Sequence, residues 1–376
     1  MLLSTYLTNA RLVQPQTILH GALTLIDGRI QDIGAPTQTG LDLEGDFLLP
    51  GLIDLHTDNL ERQVLPRANA RWPSRSALLA HDAQCAAAGI TTVFDALCIG
   101  DIGFEKARLQ TFKDGMEDIQ EFAAAGILKA EHFLHLRCEL PAAEMPNLLA
   151  TAIDEPLVRL ISLMNHSPGI GQYADIGRYQ QMRASDGFSN AEIQTMVADL
   201  QASHHRHTAD NRQLGLALAR TKNIPLASHD DRTEAEVLQN HHDGITISEF
   251  PVSFEAARTA KAKNMRVVAG APNIVRGGSH SGNVSALALV QEILVDALAS
   301  DYVPAAMAEA VFYLSAQNVL PLPEAVALAT SGPADIAGLH DRGRIAPRQR
   351  ADLVQVRLHG SHPVIRAVWR AGIRIA

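Results

Sequence analysis

Apolar runs that end abruptly in metal-competent side chains recur through the middle of this chain. The run Leu48-Leu-Pro-Gly-Leu-Ile-Asp-Leu-His-Thr-Asp58 delivers His56 and Asp58 together at its C-terminal end. Side chains alternate along a strand, so residues two apart share a face and project side by side. The pattern predicts buried strands at Leu48–His56, Thr91–Ala96, His132–Glu139, Val158–His166, Ile224–Asp230, Ile245–Phe250 and Arg266–Ala271, and a short one ending at Asp301. Helical periodicity lies between them, over Ser76–Ala88, Phe104–Ala125, Asn190–Lys222 and Phe254–Lys263. Strands alternating with helices predict a parallel sheet, and a count of eight predicts an α/β fold of the (β/α)8 TIM-like barrel type. The segment Val290–Ala299 reads equally well as helix or strand.

The chain ends follow a different rhythm. Short apolar stretches before residue 50 are separated by turns, among them Asp27-Gly28, a hairpin signal between apolar runs. Ala351–Leu358 and Val364–Ile375 again read as strands joined through turns. A small β-sandwich domain built from residues 1–50 plus 343–376 is therefore expected, next to a barrel spanning 51–342.

Composition narrows the classes. With 47% hydrophobic and 19% charged residues among 376, the chain is an ordinary globular protein. No apolar run reaches the roughly 20 residues that span a bilayer, and Met1-Leu-Leu-Ser-Thr-Tyr has no basic segment leading into an apolar one. Cys85, Cys98 and Cys138 lack CxxC spacing, which argues against a zinc knuckle or a disulfide framework. A cytoplasmic location is expected, with no membrane partner. The net charge of −9 disfavours nucleic acid, although local arginines and bound ions can invert the sign of one cleft. Among the 16 histidines, the cluster His204, His205 and His207 reads as a solvated helix face.

Chemistry concentrates at the strand ends. Glu131-His-Phe-Leu-His-Leu-Arg-Cys-Glu139 places His135, Arg137 and Glu139 on one face, where burial is unfavourable unless something is bound. Arg137 reads almost equally as substrate contact or as an internal partner of Glu139, whereas Glu139 reads as a metal ligand. Val158–His166 and Ile224–Asp230 each end in histidine, and the carboxylates after His229 are placed to orient its ring. Asp301 reads as a weak metal ligand that accepts a proton from bound water, against the plainer reading of a turn residue before Pro304.

Two stretches point to an anion. In Gly270-Ala-Pro-Asn-Ile-Val-Arg-Gly-Gly-Ser-His-Ser-Gly-Asn283, Gly277 and Gly278 allow backbone N–H groups close to a phosphate. Arg276, Ser279, His280 and Asn283 add side-chain donors, and phosphate binding is favoured over a plain barrel loop. After the first strand, Arg62, Arg67, Arg71 and Arg75 form a basic loop suited to a polyanion. His81-Asp82 carries the dipeptide of HD phosphohydrolases, but the further ligands of such a site are not evident.

Assembled, these residues resemble the amidohydrolase superfamily over nearly the whole chain. The likeness is carried by Leu49-Pro-Gly-Leu-Ile-Asp-Leu-His56, Ala88-Gly-Ile-Thr-Thr-Val-Phe-Asp95, the strand-end histidines, Asp301, and Gly343-Arg-Ile with Ala351-Asp-Leu-Val354. Members usually carry His-x-His on the first strand and often a carboxylated lysine as metal bridge. Here Asp58 takes the second position, and Glu139 is expected in place of the lysine. His56-Thr-Asp-Asn-Leu-Glu61, Ser228-His-Asp-Asp231 and Arg276-Gly-Gly-Ser-His-Ser-Gly-Asn283 are similar to one phosphate-cleaving branch. The resemblance implies one or two divalent ions, zinc first with iron or manganese as alternatives, held by His56, Asp58, Glu139, His166, His229 and Asp301. It implies diphosphatase activity on a small phosphorylated ribose phosphonate, its 5-triphosphate, giving pyrophosphate during phosphonate degradation by the carbon–phosphorus lyase pathway. Asp301 would act as the catalytic proton acceptor, with Arg62, Arg67, Arg137, Arg276, Ser279, His280 and Asn283 as substrate contacts. A homo-oligomer is compatible with this reading. A deaminase or cyclic amide hydrolase on the same barrel is the alternative, with a catalytically silent anion binder behind it.

Overall fold

Gly51 divides the first apolar run into two strands that serve different sheets. The computed structural model describes residues 4–35, 39–67, 70–101, 108–278 and 283–376. Before Gly51 come β1 (Ser4–Val13), β2 (Ile18–Ile26), β3 (Arg29–Gly34), β4 (Leu41–Asp42) and β5 (Phe47–Pro50). After it, β6 (Leu52–Thr57), β7 (Ile90–Ile99), β8 (Glu131–Glu139), β9 (Val158–Met164), β10 (Leu226–His229), β11 (Ile247–Glu249), β12 (Arg266–Gly270) and β13 (Ala297–Ala299) run in parallel. The chain returns to the first sheet with β14 (Leu353–His359), β15 (His362–Arg370) and β16 (Ile373–Arg374).

The parallel strands pair in strict sequence order from β6 to β13. Their seam is drawn together at the C-terminal end, where Asp58 N donates to Asp301 O at 2.6 Å and Asp301 N to His56 O at 3.0 Å. Lower in the seam the buried Asp54 carboxylate accepts from Ser300 N at 2.9 Å. Ile53, Leu55, Phe94, Phe133, Leu160 and Val268 fill the barrel interior. Outward-facing positions pack under helices, so β7 is buried at every residue, as parallel strands covered on both faces must be. The ambiguous stretch near residue 290 resolves into a helix, Ala286–Gln291, followed by β13.

The chain ends form one mixed sheet of order β16-β15-β14-β5-β1-β2-β3, with β4 alongside β1. Residues from both chain ends share its one core of Leu7, Leu12, Leu25, Ile30, Leu353 and Trp369, so the two termini close a single small β-unit. This sheet abuts the N-terminal ends of β7 and β8. Arg370 donates to Leu128 O and Ala130 O, and Arg342 and Arg350 grip the Glu131 carboxylate. Barrel chemistry belongs to the opposite, C-terminal end, so the small sheet supports the barrel away from it. Among the described residues no helix is long and apolar enough to cross a membrane, and all three cysteines are buried and unpaired.

Candidate metal centre and anion cavity

A cavity of about 330 Å³ opens at the C-terminal ends of the barrel strands. His56, Asp58, Arg137, His166, His229 and Asp301, all singled out from the sequence, line it. Asp230 and Phe250 directly follow β10 and β11, Asp301 lies two residues past the end of β13, and all three adopt positive φ (59°, 53° and 55°). That conformation is uncommon outside glycine, above all for a bulky residue such as Phe250. All three of these residues line the cavity.

Two trios of donor atoms face each other across this space. His56, Asp58 and Asp301 form one, and His166, His229 and Asp230 the other, each with ligand atoms within 4.8 Å of one another. His56 Nε2 lies 3.5 Å from Asp58 Oδ1, and Asp230 Oδ2 lies 3.8 and 3.7 Å from the Nε2 atoms of His166 and His229. Buried carboxylates hold the other ring nitrogens. Glu249 bridges His56 Nδ1 at 2.8 Å and His229 Nδ1 at 2.9 Å, while Glu139 meets His166 Nδ1 at 2.6 Å. With Nδ1–H donated to a carboxylate, each ring turns Nε2 towards the cavity, where loss of the Nε2 proton would leave the lone pair a metal ligand needs. Phe250 closes one side, its ring centroid 5.0 Å from that of His56 and 5.4 Å from that of His229.

Electrostatics follow from this packing. Burial works against a charged His56 ring, but Glu249 and Asp58 prevail and raise it to about 10. In Glu249, burial is likewise outweighed, by the charge of His56 and by the hydrogen bonds from His229 and His56, which hold the carboxylate well below its usual range. Burial also opposes ionisation of Asp58, yet Arg137 keeps it low by donating Nη1 to Oδ1 at 2.6 Å. Asp301 behaves oppositely: burial and the Asp58 charge push it up to about 6. Below the cavity, burial drives His135 down to about 3, a neutral ring with Nδ1 2.9 Å from Leu55 O and Nε2 3.0 Å from Ser162 Oγ.

The structure sorts the remaining sequence expectations. Glu139 stands behind His166, accepting from its backbone N at 2.9 Å as well as from its ring, and does not line the cavity. Arg137 pairs with Asp58 instead of Glu139. Arg276 and Asn283 line the cavity, whereas Ser279 and His280 lie outside the described residues. Arg62 is exposed and donates to Tyr302 O at 2.5 Å, Arg67 is exposed in its loop, and neither lines the cavity. Arg71 and Arg75 are held by Asp114, Asp118 and Glu121 on the helix Arg108–Ala124. His81 and Asp82 belong to a buried network on the barrel's outer face with Asp95 and His132, which accounts for that dipeptide without a phosphohydrolase site. Among the polar groups of the site, Asp230 as a metal-donor atom and Arg108 in the cavity wall escaped the sequence reading, as did Glu249 behind the wall, where it holds His56 and His229. Glu249 ends a strand that was legible, which was the available signal; Arg108 gave none.

The Amidohydrolase family profile matches residues 176–374. Alpha-D-ribose 1-methylphosphonate 5-triphosphate diphosphatase of Escherichia coli (strain K12) is 42% identical over 376 residues, covering 98% of this chain and 99% of the relative. Among solved structures, N-isopropylammelide isopropylaminohydrolase from Burkholderia multivorans ATCC 17616 superposes with a TM-score of 0.66 at 17% identity, covering 99% of this chain and 97% of that one. Molinate hydrolase gives a TM-score of 0.68 at 11% identity, covering 99% and 94%. At such identities these structures establish the barrel-plus-sheet fold alone. With a profile match across more than half its length and a full-length relative at that identity, the chain belongs to the amidohydrolase family of metal-dependent hydrolases.

Proposed function

We propose that this chain hydrolyses the 5-triphosphate of α-D-ribose 1-methylphosphonate to the 5-phosphate and pyrophosphate, a step of phosphonate degradation by the carbon–phosphorus lyase pathway. The observation that carries the reading is the coexistence, in one cavity, of two histidine–carboxylate trios with the guanidinium groups of Arg108, Arg137 and Arg276. A neutral amide would not call for that cationic wall, whereas a polyphosphate ester would. The full-length similarity to the Escherichia coli diphosphatase supports the same substrate. Three buried, unpaired cysteines fit a reducing compartment such as the cytoplasm.

The donor set fits divalent metal. Imidazole nitrogens already oriented by Glu249 and Glu139, together with carboxylates, suit zinc, with iron and manganese as alternatives. His56, Asp58 and Asp301 would hold one ion, and His166, His229 and Asp230 a second. Such ions lower the pKa of water and polarise phosphoryl oxygens. The side chains do the rest. Asp301, raised to about 6, is ionised at neutral pH and accepts the proton of the attacking water. Water adds to the phosphorus that carries the ribose 5-oxygen, the bond to the bridging oxygen breaks, and pyrophosphate departs with the electron pair. Arg137 keeps Asp58 ionised and Arg276 contacts phosphate oxygens at the mouth.

Phosphorus NMR of the reaction tests the proposal. Pyrophosphate and the 5-monophosphate should appear together. Orthophosphate with a 5-diphosphate intermediate would refute the diphosphatase reading, and turnover of a cyclic amide or aminopyrimidine without phosphate release would favour the deaminase alternative.

A further inference from the structure

Arg108 lies in the helix described over Arg108–Ala124 and lines the cavity beside Asp58 and Arg137. Its side chain is only 22% exposed, and its Nε finds no hydrogen-bond acceptor among the described residues. Among the described residues its ion-pair partner is Glu61, at 3.4 Å, and Asp58 adds a weaker attraction. A guanidinium carries five donors in a rigid fork, and burying one with so few acceptors is unfavourable unless an anion arrives. The helix that carries it is rigidly seated, since a Cβ added at Gly115 would already press to 3.3 Å on Leu60. The other basic residues of this region are committed elsewhere. Arg137 serves Asp58, Arg62 serves Tyr302 O, and Arg71 and Arg75 serve acids on the outer helix.

Resting on the proposed diphosphatase reading, we infer that Arg108 is the residue that receives the departing pyrophosphate and so selects a triphosphate over shorter esters. The departing group accumulates most charge in the transition state, and a cation shielded from water stabilises that charge best. Arg108 is largely buried whereas Arg276 is exposed at the mouth, which assigns Arg108 to the departing end and Arg276 to the remaining ester.

The test compares the metal-loaded wild type with Arg108→Gln at matched metal content. Binding of inorganic pyrophosphate, measured by calorimetry, should weaken about ten- to a hundredfold, the usual effect of losing a charge-assisted contact. The kcat/KM for the 5-triphosphate should fall by a similar factor, and that for the 5-diphosphate by less. Unchanged pyrophosphate affinity with an unchanged ratio between the two esters would overturn the inference. Should Arg108→Gln fail to fold, Arg108→Lys keeps the ion pair with Glu61 but loses the planar fork; pyrophosphate binding weakened severalfold supports the assignment, and wild-type binding overturns it. If pyrophosphate binding depends on Arg108 while the wild type turns over neither ester, the diphosphatase reading fails and the anion subsite stands.

Discussion

Glu249 Oε1 lies 2.8 Å from His56 Nδ1, joining residues 193 positions apart. The second oxygen of the same carboxylate meets His229 Nδ1 at 2.9 Å, so one buried acid orients a ring from each of the two donor trios. Replacing Glu249 by Gln keeps the shape, but the amide accepts through only one of its two end atoms. One ring must then lose its acceptor and its tautomeric preference. Glu249→Gln should weaken metal affinity about ten- to a hundredfold in a folded protein. Elemental analysis after dialysis against a weak chelator checks this, and wild-type metal retention would show that Glu249 merely fills space.

Asp301 and His229 should separate under mutation. His229→Ala removes a ring that nothing else replaces in its trio, so most bound metal should be lost from a barrel that remains folded. Asp301→Asn retains the seam contact, because that contact uses the Asp301 backbone N and O. It removes the proton acceptor, so kcat should fall by about 10²-fold or more while metal content drops less than in His229→Ala. Near wild-type turnover in Asp301→Asn would reduce Asp301 to a seam residue.

His56, Asp58, His166, His229 and Asp301 were legible because each ends an apolar run, a local pattern that survives without knowledge of the fold. Glu249 was not. Its role depends on the register that sets it beside His229 on the neighbouring strand and on the approach of β6 across the barrel end. The basic loop misled for the same reason: Arg71 and Arg75 look available in sequence, yet acids some forty residues later neutralise them. The strand order of the small sheet, β16-β15-β14-β5-β1-β2-β3, was not legible either, since alternation along strands identifies inward faces but not which strands pair.

Gly51 offers a test of the joint between the two sheets. Its N donates to Asp352 O at 2.7 Å, and an added Cβ would collide with the Thr91 side chain and stand 2.9 Å from Asp352 Cβ. Gly51→Ala should therefore destabilise the chain by about 1–3 kcal/mol through overpacking. Activity per folded molecule should hold, because the joint lies at the barrel end opposite the cavity. Denaturant unfolding at fixed metal concentration reads the first effect, and an unchanged midpoint would mean that Thr91 moves aside freely.

His132 gives the alkaline side of the stability profile. Its Nδ1 lies 2.7 Å from Asp95 Oδ2 and its Nε2 3.2 Å from Asp82 Oδ1, so both nitrogens donate to carboxylates. Burial opposes the charged ring, but Asp95 and Asp82 outweigh it and raise His132 to about 9. A folded-state value above the unfolded value of about 6.5 gives stability that is complete below pH ~6.5 and lost as pH rises through about 9. Both carboxylates shift downwards, so their own contributions are lost only under acid, well outside this window. The neighbouring Cys85 thiol is pushed well above its ordinary value by burial and stays protonated throughout. His132→Gln removes the titrating charge. The variant should melt well below wild type at pH 6.5 and much closer to it at pH 9.5, a narrowing gap worth on the order of a few kcal/mol. Melting curves at the two pH values decide it: a gap of constant size would mean that His132 is neutral in the folded barrel.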